Sequence, residues 1–207
     1  MIRNIVFDLG GVIITLDRQA CVDSFKKLGF KDFDDILNDF VQDGFFLEFE
    51  KGAIDAARFR EIICDHIGHI VKDYEIDNAM GDFLSDIPVK RFETLLRLKK
   101  SYNVFLLSNT NPIAMSKVRD IFSAYGIDMN DCFDKMYLSY QMKMVKPNNE
   151  IFLKMMEDSR IKAEESLFID DGEMNINTAN SLGFKTLHLK KGIDLDSEIE
   201  KFLNEQK

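Results

Sequence analysis

The chain has 207 residues, of which 45% are hydrophobic and 30% charged, and this composition is typical of a soluble globular protein of one or two domains. Its formal net charge of -9 argues against nucleic acid or an anionic membrane surface as the main partner. The three scattered cysteines favour reduced thiols, and no stretch resembles a signal peptide or a membrane span, so we expect a cytoplasmic protein.

The first predicted element is a strand over residues 2–7, and a carboxylate follows it directly. Asp8 is followed closely by Gly10 and Gly11, which permit a sharp turn. The carboxyl ends of parallel strands are where open α/β sheets bind ligands, so Asp8 is a candidate functional residue. The structural alternative is an aspartate that only caps the turn.

Residues 16–87 differ from the rest of the chain because they contain helical patterns and no convincing strand pattern. Helices are predicted over residues 18–28, 33–40, 55–67 and 74–84. We therefore predict a small all-helical domain inserted into a core domain that comprises residues 1–15 and 88–207. Within the insert, Phe45 and Phe46 are candidates for a lid, but burial preferences favour core packing.

The second half of the chain alternates between strand and helix patterns. Strands are predicted over residues 104–107, 135–138, 167–169 and 186–189, and helices over 113–125, 149–159 and 194–207. This alternation is typical of βαβ units, so we predict an α/β fold with a doubly wound parallel sheet.

Three further polar groups follow predicted strands of this half. Ser108 and Asn109 could bind phosphate or could cap the next helix. Lys146 could hold an anion and keep a neighbouring carboxylate ionised. Asp170 and Asp171 are like charges that favour a bound cation such as Mg²⁺, although an Asp helix cap is the structural alternative.

In this order, an Asp, a Ser-Asn pair, a Lys-Pro pair and an Asp-Asp pair resemble the four motifs of the haloacid dehalogenase (HAD) superfamily, which has a Rossmann-like core. The resemblance spans residues 5–184. The helical insert resembles a C1-type cap domain, and segment 49–52 (Phe-Glu-Lys-Gly) is similar to caps of sugar-phosphatase-like members.

The resemblance implies a Mg²⁺-dependent phosphatase that hydrolyses a small phosphorylated metabolite, with sugar phosphates as one candidate class, through an aspartyl-phosphate. We expect a monomer or a homodimer. The implied catalytic residues are Asp8 and Lys146. The implied phosphate ligands are Ser108, Asn109 and Lys146. The implied metal ligands are Asp8, the carbonyl of Gly10, and Asp171, with Asp170 as a second ligand or as support.

One position departs from the phosphatase pattern. Gly10 stands where such enzymes have an aspartate that protonates the leaving group, and general acid–base help is worth roughly 10²–10⁴-fold. We therefore expect slow turnover, a preference for good leaving groups, or another acid. Asp17, Glu48 and Glu50 are the candidates for that acid.

Two other functions stay open. A hydrolytic dehalogenase would use Asp8 to attack carbon, but that reaction needs no metal, so the Asp-Asp pair counts against it. A binding or regulatory protein on the same scaffold would explain Gly10. Among the histidines, we expect His66 and His69 to be structural or solvated, because no third metal ligand accompanies them, and His188 to be packed.

Overall fold

The sheet of the computed structural model, which describes residues 1–37 and 44–205, is entirely parallel. Its strands within these ranges are β1 (Asn4–Phe7), β2 (Asn103–Ser108), β3 (Lys135–Leu138), β4 (Ser166–Asp170) and β5 (Lys185–His188). Their order is β3-β2-β1-β4-β5. All were predicted from the apolar runs, with ends shifted by at most two residues.

Apart from that over 33–40, the predicted helices are present with ends shifted by at most three residues among the described residues, and further helices occur where none was given a predicted range. In the described residues they are α1 (Arg18–Leu28), α2 (Phe33–Ile36), α3 (Gly44–Glu50), α4 (Ala56–Ile67), α5 (Asp73–Gly81), α6 (Val89–Leu98), α7 (Pro112–Ala124), α8 (Met129–Cys132), α9 (Ser139–Met142), α10 (Asn149–Ser159), α11 (Glu173–Ser181) and α12 (Leu195–Glu205). A 3-10 turn covers Ala163–Glu165. None of these described helices is long and apolar enough to cross a membrane.

Both faces of the sheet are covered by helices. Side chains of a strand alternate between faces, and in β1 Ile5 and Phe7 pack with α6, α7 and α12, whereas Val6 packs with α10 and α11. Strands buried on both faces read as continuous apolar runs, which is why the sequence revealed them. The doubly wound α/β prediction is confirmed.

The segment between β1 and α6 contains α1 to α5 and no strand among its described residues. These helices enclose a second hydrophobic cluster rich in phenylalanine, which includes Phe25, Phe33, Phe46, Phe49 and Phe59. Rings of this cluster stack closely, as for Phe25 and Phe33, whose centroids are 3.9 Å apart. The helix predicted over 33–40 is too long in its described part, because α2 ends at Ile36 and Leu37 is extended. Residues 38–40 of that prediction lie outside the described residues.

The two chain segments that join these helices to the sheet are hydrogen-bonded to each other. The N–H of Thr15 donates to the Asp86 carbonyl (3.0 Å), and the N–H of Ser85 donates to the Thr15 carbonyl (2.9 Å). Leu16 and Leu84 form an antiparallel bridge beside them. The two linkers therefore form one paired connection that ends close to the C-terminal edge of the sheet.

Candidate active site

Asp8 lies at the carboxyl edge of the central strand. Its backbone N–H donates to the Ile169 carbonyl (2.9 Å), which continues the pairing of β1 with β4 by one residue. Because β1 lies between β2 and β4, the side chain of Asp8 stands between the residues that follow these two strands. This is the edge at which open α/β sheets bind ligands.

The turn after Asp8 brings the backbone against Asp171. The N–H groups of Ile13 and Ile14 both donate to the Leu9 carbonyl, and Gly11 has a φ of +69°. A Cβ atom on Gly11 would lie 1.9 Å from Oδ2 of Asp171. Glycine is therefore required at this position for both conformation and space.

Lys146 bridges two carboxylates at the same edge. Its Nζ lies 2.8 Å from Oδ1 of Asp8 and 2.6 Å from Oδ2 of Asp170. Only 3% of Lys146 is exposed. Its backbone is fixed by the Asn109 amide, which accepts from the Lys146 N–H (2.8 Å) and donates to the Lys146 carbonyl (2.9 Å).

The Asp170–Asp171 pair divides into a buried and a partly exposed carboxylate. Asp170 is fully buried, and its Oδ1 accepts from the Gly172 N–H (2.8 Å) and from the Asn175 amide (2.9 Å). Oxygen atoms of Asp8, Asp170 and Asp171 all lie within 4.8 Å of one another. Three carboxylates with one lysine leave surplus negative charge, which suits a divalent cation.

Burial dominates the electrostatics of these groups. Burial raises the pKa of Asp8 to about 7; Lys146 opposes this rise and the charge of Asp170 adds to it. Burial and the charge of Asp170 raise the pKa of Asp171 to about 6. For Lys146, burial opposes the charged form, but Asp170 and Asp8 outweigh it and raise its pKa. A site without metal therefore holds carboxyl protons up to neutral pH.

Ser108 ends β2 and is 2% exposed. The N-cap of α7 is Asn111, whose side chain accepts from the Ala114 N–H (2.9 Å). Neither Ser108 nor Asn109 is thus occupied as the helix cap, which was the structural alternative for both. The loop between them and the helix is fixed by Ser139, whose hydroxyl accepts from the Thr110 N–H (2.9 Å).

These side chains line one small cavity of about 110 Å³. From the sheet edge it is lined by Asp8, Ser108, Asn109, Lys146, Asp171 and Asn175. From the segment 16–87 it is lined by Leu16, Leu37, Phe46, Glu50, Met80, Phe83 and Leu84. A larger cleft of about 900 Å³ adjoins it at Asp171 but is not lined by Asp8.

The three candidates for the missing acid have separate surroundings. Asp17 caps α1, where its carboxylate accepts from the Ala20 N–H (2.9 Å). Glu48 is exposed to solvent. Glu50 lines the cavity, and burial, with the negative charge of Asp8 added, raises its pKa to about 7.

Other side-chain predictions had mixed outcomes. Phe46 is buried in the phenylalanine cluster as expected, yet it also lines the cavity. His66 is structural: it stacks on Phe30, and its Nδ1 lies 2.8 Å from the Ile62 carbonyl oxygen. The prediction that His188 is packed is wrong. Its strand is at the sheet edge, and the exposed ring places Nε2 2.9 Å from the Asp171 carbonyl oxygen.

Two polar residues of the site were missed by the sequence analysis. Ser139 follows β3, and Asn175 lies in the first turn of α11. The Asn175 side chain donates to Asp170, five residues earlier, and the available signal was a polar residue in the first turn of the helix that follows the strand. Ser139 contacts Thr110 only through the pairing of β2 with β3, which no local pattern indicates.

Residues 2–183 match the model of one protein family, described as haloacid dehalogenase-like hydrolase. The chain belongs to the haloacid dehalogenase-like hydrolases. It is 42% identical over 205 residues to a D-ribitol-5-phosphate phosphatase of Bacteroides thetaiotaomicron, covering 99% of this chain and 100% of the relative.

Solved structures of HAD proteins agree with this assignment. A HAD family enzyme of Bacteroides thetaiotaomicron, in complex with magnesium and inorganic phosphate, superposes with a TM-score of 0.90 at 43% identity, covering 95% of this chain and 98% of that one. The L-2-haloacid dehalogenase of Xanthobacter autotrophicus superposes with a TM-score of 0.60 at 16% identity, covering 99% and 83%. The second likeness shows the common HAD fold alone.

Proposed function

We propose that this protein is a Mg²⁺-dependent phosphatase of a small phosphorylated metabolite and that Asp8 is its nucleophile. The observation that carries the proposal is the convergence of Asp8, Lys146 and Asp171 on one small cavity at the sheet edge. The similarity to a D-ribitol-5-phosphate phosphatase and to a magnesium- and phosphate-bound HAD enzyme supports it. Phosphorylated sugars and sugar alcohols are therefore the first substrates to test.

The residues present fit a magnesium ion. Asp8 and Asp171 line the cavity and offer carboxylate oxygens, which are hard ligands of the kind that Mg²⁺ prefers. The carbonyl of Gly10, which also lines the cavity, is proposed as a third protein ligand. Asp170 does not line the cavity and already accepts from Lys146, so we assign it a supporting role. When bound, Mg²⁺ would offset the repulsion between the nucleophile and a phosphate dianion.

Each polar side chain of the cavity has a separate role in the proposed reaction. A carboxylate oxygen of Asp8 forms a bond to phosphorus while the ester bond breaks, which leaves an aspartyl-phosphate for water to hydrolyse. Lys146 favours the ionised form of Asp8 and offsets charge on the phosphate. Ser108 and Asn109 are proposed to bind phosphate oxygens from the adjacent strand end.

Residues 16–87 are proposed to act as a cap on a core of residues 1–15 and 88–207. Seven described residues of this segment line the cavity, among them Phe46 and Met80. All of the seven except Glu50 are apolar and exclude water from Asp8, which strengthens every electrostatic interaction inside. Specificity for the non-reacting part of the substrate would then come from the insert.

The same geometry gives less support to the two rival functions. A dehalogenase needs no metal and leaves the clustered carboxylates of Asp8, Asp170 and Asp171 unexplained. A binding protein without turnover is favoured only by Gly10.

The test is release of inorganic phosphate from a panel of sugar phosphates, polyol phosphates, acyl phosphates and an aryl phosphate. Each substrate is assayed with Mg²⁺ and with EDTA, using the wild type and Asp8→Asn. The matched control is Asp120→Asn, since Asp120 is exposed on α7. We expect release that requires both Mg²⁺ and Asp8 and is unaffected by the control. Release at the Asp8→Asn level by the wild type on every substrate would refute the proposal.

A further inference from the structure

The loop after Asp8 offers no group that can transfer a proton at position 10, because Gly10 has no side chain. An alkoxide leaving group needs a proton when the ester bond breaks, and the attacking water must later lose one. The proposed phosphatase therefore requires a proton donor from another part of the cavity.

We infer that the carboxyl group of Glu50, supplied by the helical insert, is the general acid and base of this site. The inference rests on the proposed function and assigns the proton transfers within it. Among the described residues 1–37 and 44–205, three carboxyl groups line the cavity, and they belong to Asp8, Asp171 and Glu50. Asp8 is needed as nucleophile and Asp171 as metal ligand, and the Lys146 ammonium is bound to Asp8 and Asp170.

Glu50 is the remaining carboxyl group among the described residues that line the cavity. Its carboxyl group forms no hydrogen bond or ion pair with another described residue, whereas Asp170 accepts from three groups. Glu50 lies on the insert side of the cavity, and the nucleophile lies on the sheet side. A phosphate ester on Asp8 would direct its leaving oxygen away from Asp8, which is toward the insert.

The position of Glu50 is fixed by contacts on both of its sides. The preceding residue, Phe49, is fully buried and stacks on Phe59 with ring centroids 4.3 Å apart. Two residues after Glu50, the Gly52 carbonyl accepts from the Lys143 ammonium. A Cβ atom on Gly52, whose φ is +61°, would lie 2.2 Å from the Tyr140 carbonyl oxygen. The turn after α3 thus sits directly on the core, next to the cavity.

The proton transfers balance in two steps. In the first, an oxygen of Asp8 bonds to phosphorus, the ester P–O bond breaks, and the leaving oxygen takes the proton of Glu50. In the second, water attacks the phosphorus, Glu50 takes a proton from that water, and the bond between phosphorus and Asp8 breaks. Inorganic phosphate leaves, and Glu50 is protonated again. Burial in this cavity raises the pKa of Glu50 to about 7, which supports the presence of both forms near neutral pH.

The experiment compares two leaving groups in order to distinguish the loss of a proton donor from structural damage to the site. Single-turnover cleavage of an alkyl phosphate and of 4-nitrophenyl phosphate is measured with Mg²⁺ for the wild type and Glu50→Gln. The alkyl ester needs an acid and the nitrophenyl ester does not. We expect Glu50→Gln to slow alkyl cleavage by roughly 10²–10⁴-fold and nitrophenyl cleavage by less than about tenfold. Excess nitrophenyl substrate should give a burst of one equivalent of nitrophenolate, because water attack then lacks its base.

The matched control is Glu48→Gln, which makes the same change two residues away on the exposed side of α3 and should leave both rates unchanged. Equal slowing of both esters by Glu50→Gln, or no slowing of either, would overturn the inference while the phosphatase stands. A wild type without release that depends on Mg²⁺ and Asp8 would overturn the proposed function, and this inference with it.

Discussion

Replacing Lys146 with methionine should strongly destabilise the metal-free protein. The Nζ atom lies 2.8 Å from Asp8 and 2.6 Å from Asp170, and at an effective dielectric constant of about 20 each contact is worth about 6 kcal/mol before desolvation. Removing the three charged groups from water opposes most of this gain. The variant keeps the desolvation cost of both carboxylates but loses their attraction to the ammonium group. We therefore expect the free energy of unfolding to fall by about 3–5 kcal/mol.

The assay is urea denaturation at about pH 9 in EDTA. The loss should shrink as the pH falls toward 7, because the pKa of Asp8, which burial already raises, rises further without Lys146, and Asp8 then takes up a proton in the folded variant. The folded variant then binds more protons than the unfolded chain, so its unfolding free energy rises as the pH falls. Mg²⁺ should restore part of the stability at neutral pH, since it replaces the missing positive charge.

Lys154→Met is the matched control. Lys154 also forms a close ion pair, with Glu157 at 2.6 Å, but both side chains are more than half exposed. Exposed ion pairs contribute little to stability, so we expect no measurable change in the free energy of unfolding. A loss below about 1 kcal/mol for Lys146→Met would refute the reading of Lys146 as the charge that holds the buried carboxylates together.

Two further predictions concern the metal. Gly11→Ala should abolish Mg²⁺ binding measured by calorimetry, because the new Cβ would overlap Oδ2 of Asp171. Gly126→Ala has the same φ of +69° but no atom within 4 Å, so it should retain Mg²⁺ binding at a similar cost in backbone strain. Without metal, the unfolding free energy should fall as pH rises from 5 to 7, because Asp8, Asp171 and Glu50, whose pKa values are raised, hold protons more tightly in the folded protein. Thermal unfolding should therefore show a Mg²⁺-induced rise in Tm that grows with pH, and a rise that is independent of pH would contradict this.

The strands and their polar ends could be predicted from the sequence because one physical constraint produces both. A parallel strand covered by helices on both faces is apolar through its middle, as at residues 167–169 of β4, before it leaves the sheet. The first polar residue after such a run is thus at the carboxyl edge. Such residues must then lie at one edge, which is how Asp8, Ser108 and Asp170 could be grouped without knowledge of the strand order. Lys146 is different, because it follows the end of β3 by eight residues and reaches the edge from a loop.

The contribution of the insert could not be predicted in this way. Helix α3 has only seven residues, and its three phenylalanines in Gly44–Glu50 give no clear helical period. Its position depends on the contact of Lys143 with Gly52, which are 91 residues apart. The prediction that His188 is packed was wrong for a related reason. A strand pattern in the sequence does not reveal which strand lies at the sheet edge.

The absence of an aspartate at position 10 is connected to the packing of the linkers. Gly10 does not have a positive φ, so backbone strain does not require glycine there. A Cβ atom at this position would instead lie 3.1 Å from Cδ1 of Leu16, and Leu16 pairs with Leu84 where the two linkers meet. An aspartate at position 10 would therefore press on the connection that sets the insert over the sheet edge. A carboxyl group carried by the insert itself, as in Glu50, reaches the same cavity without that conflict.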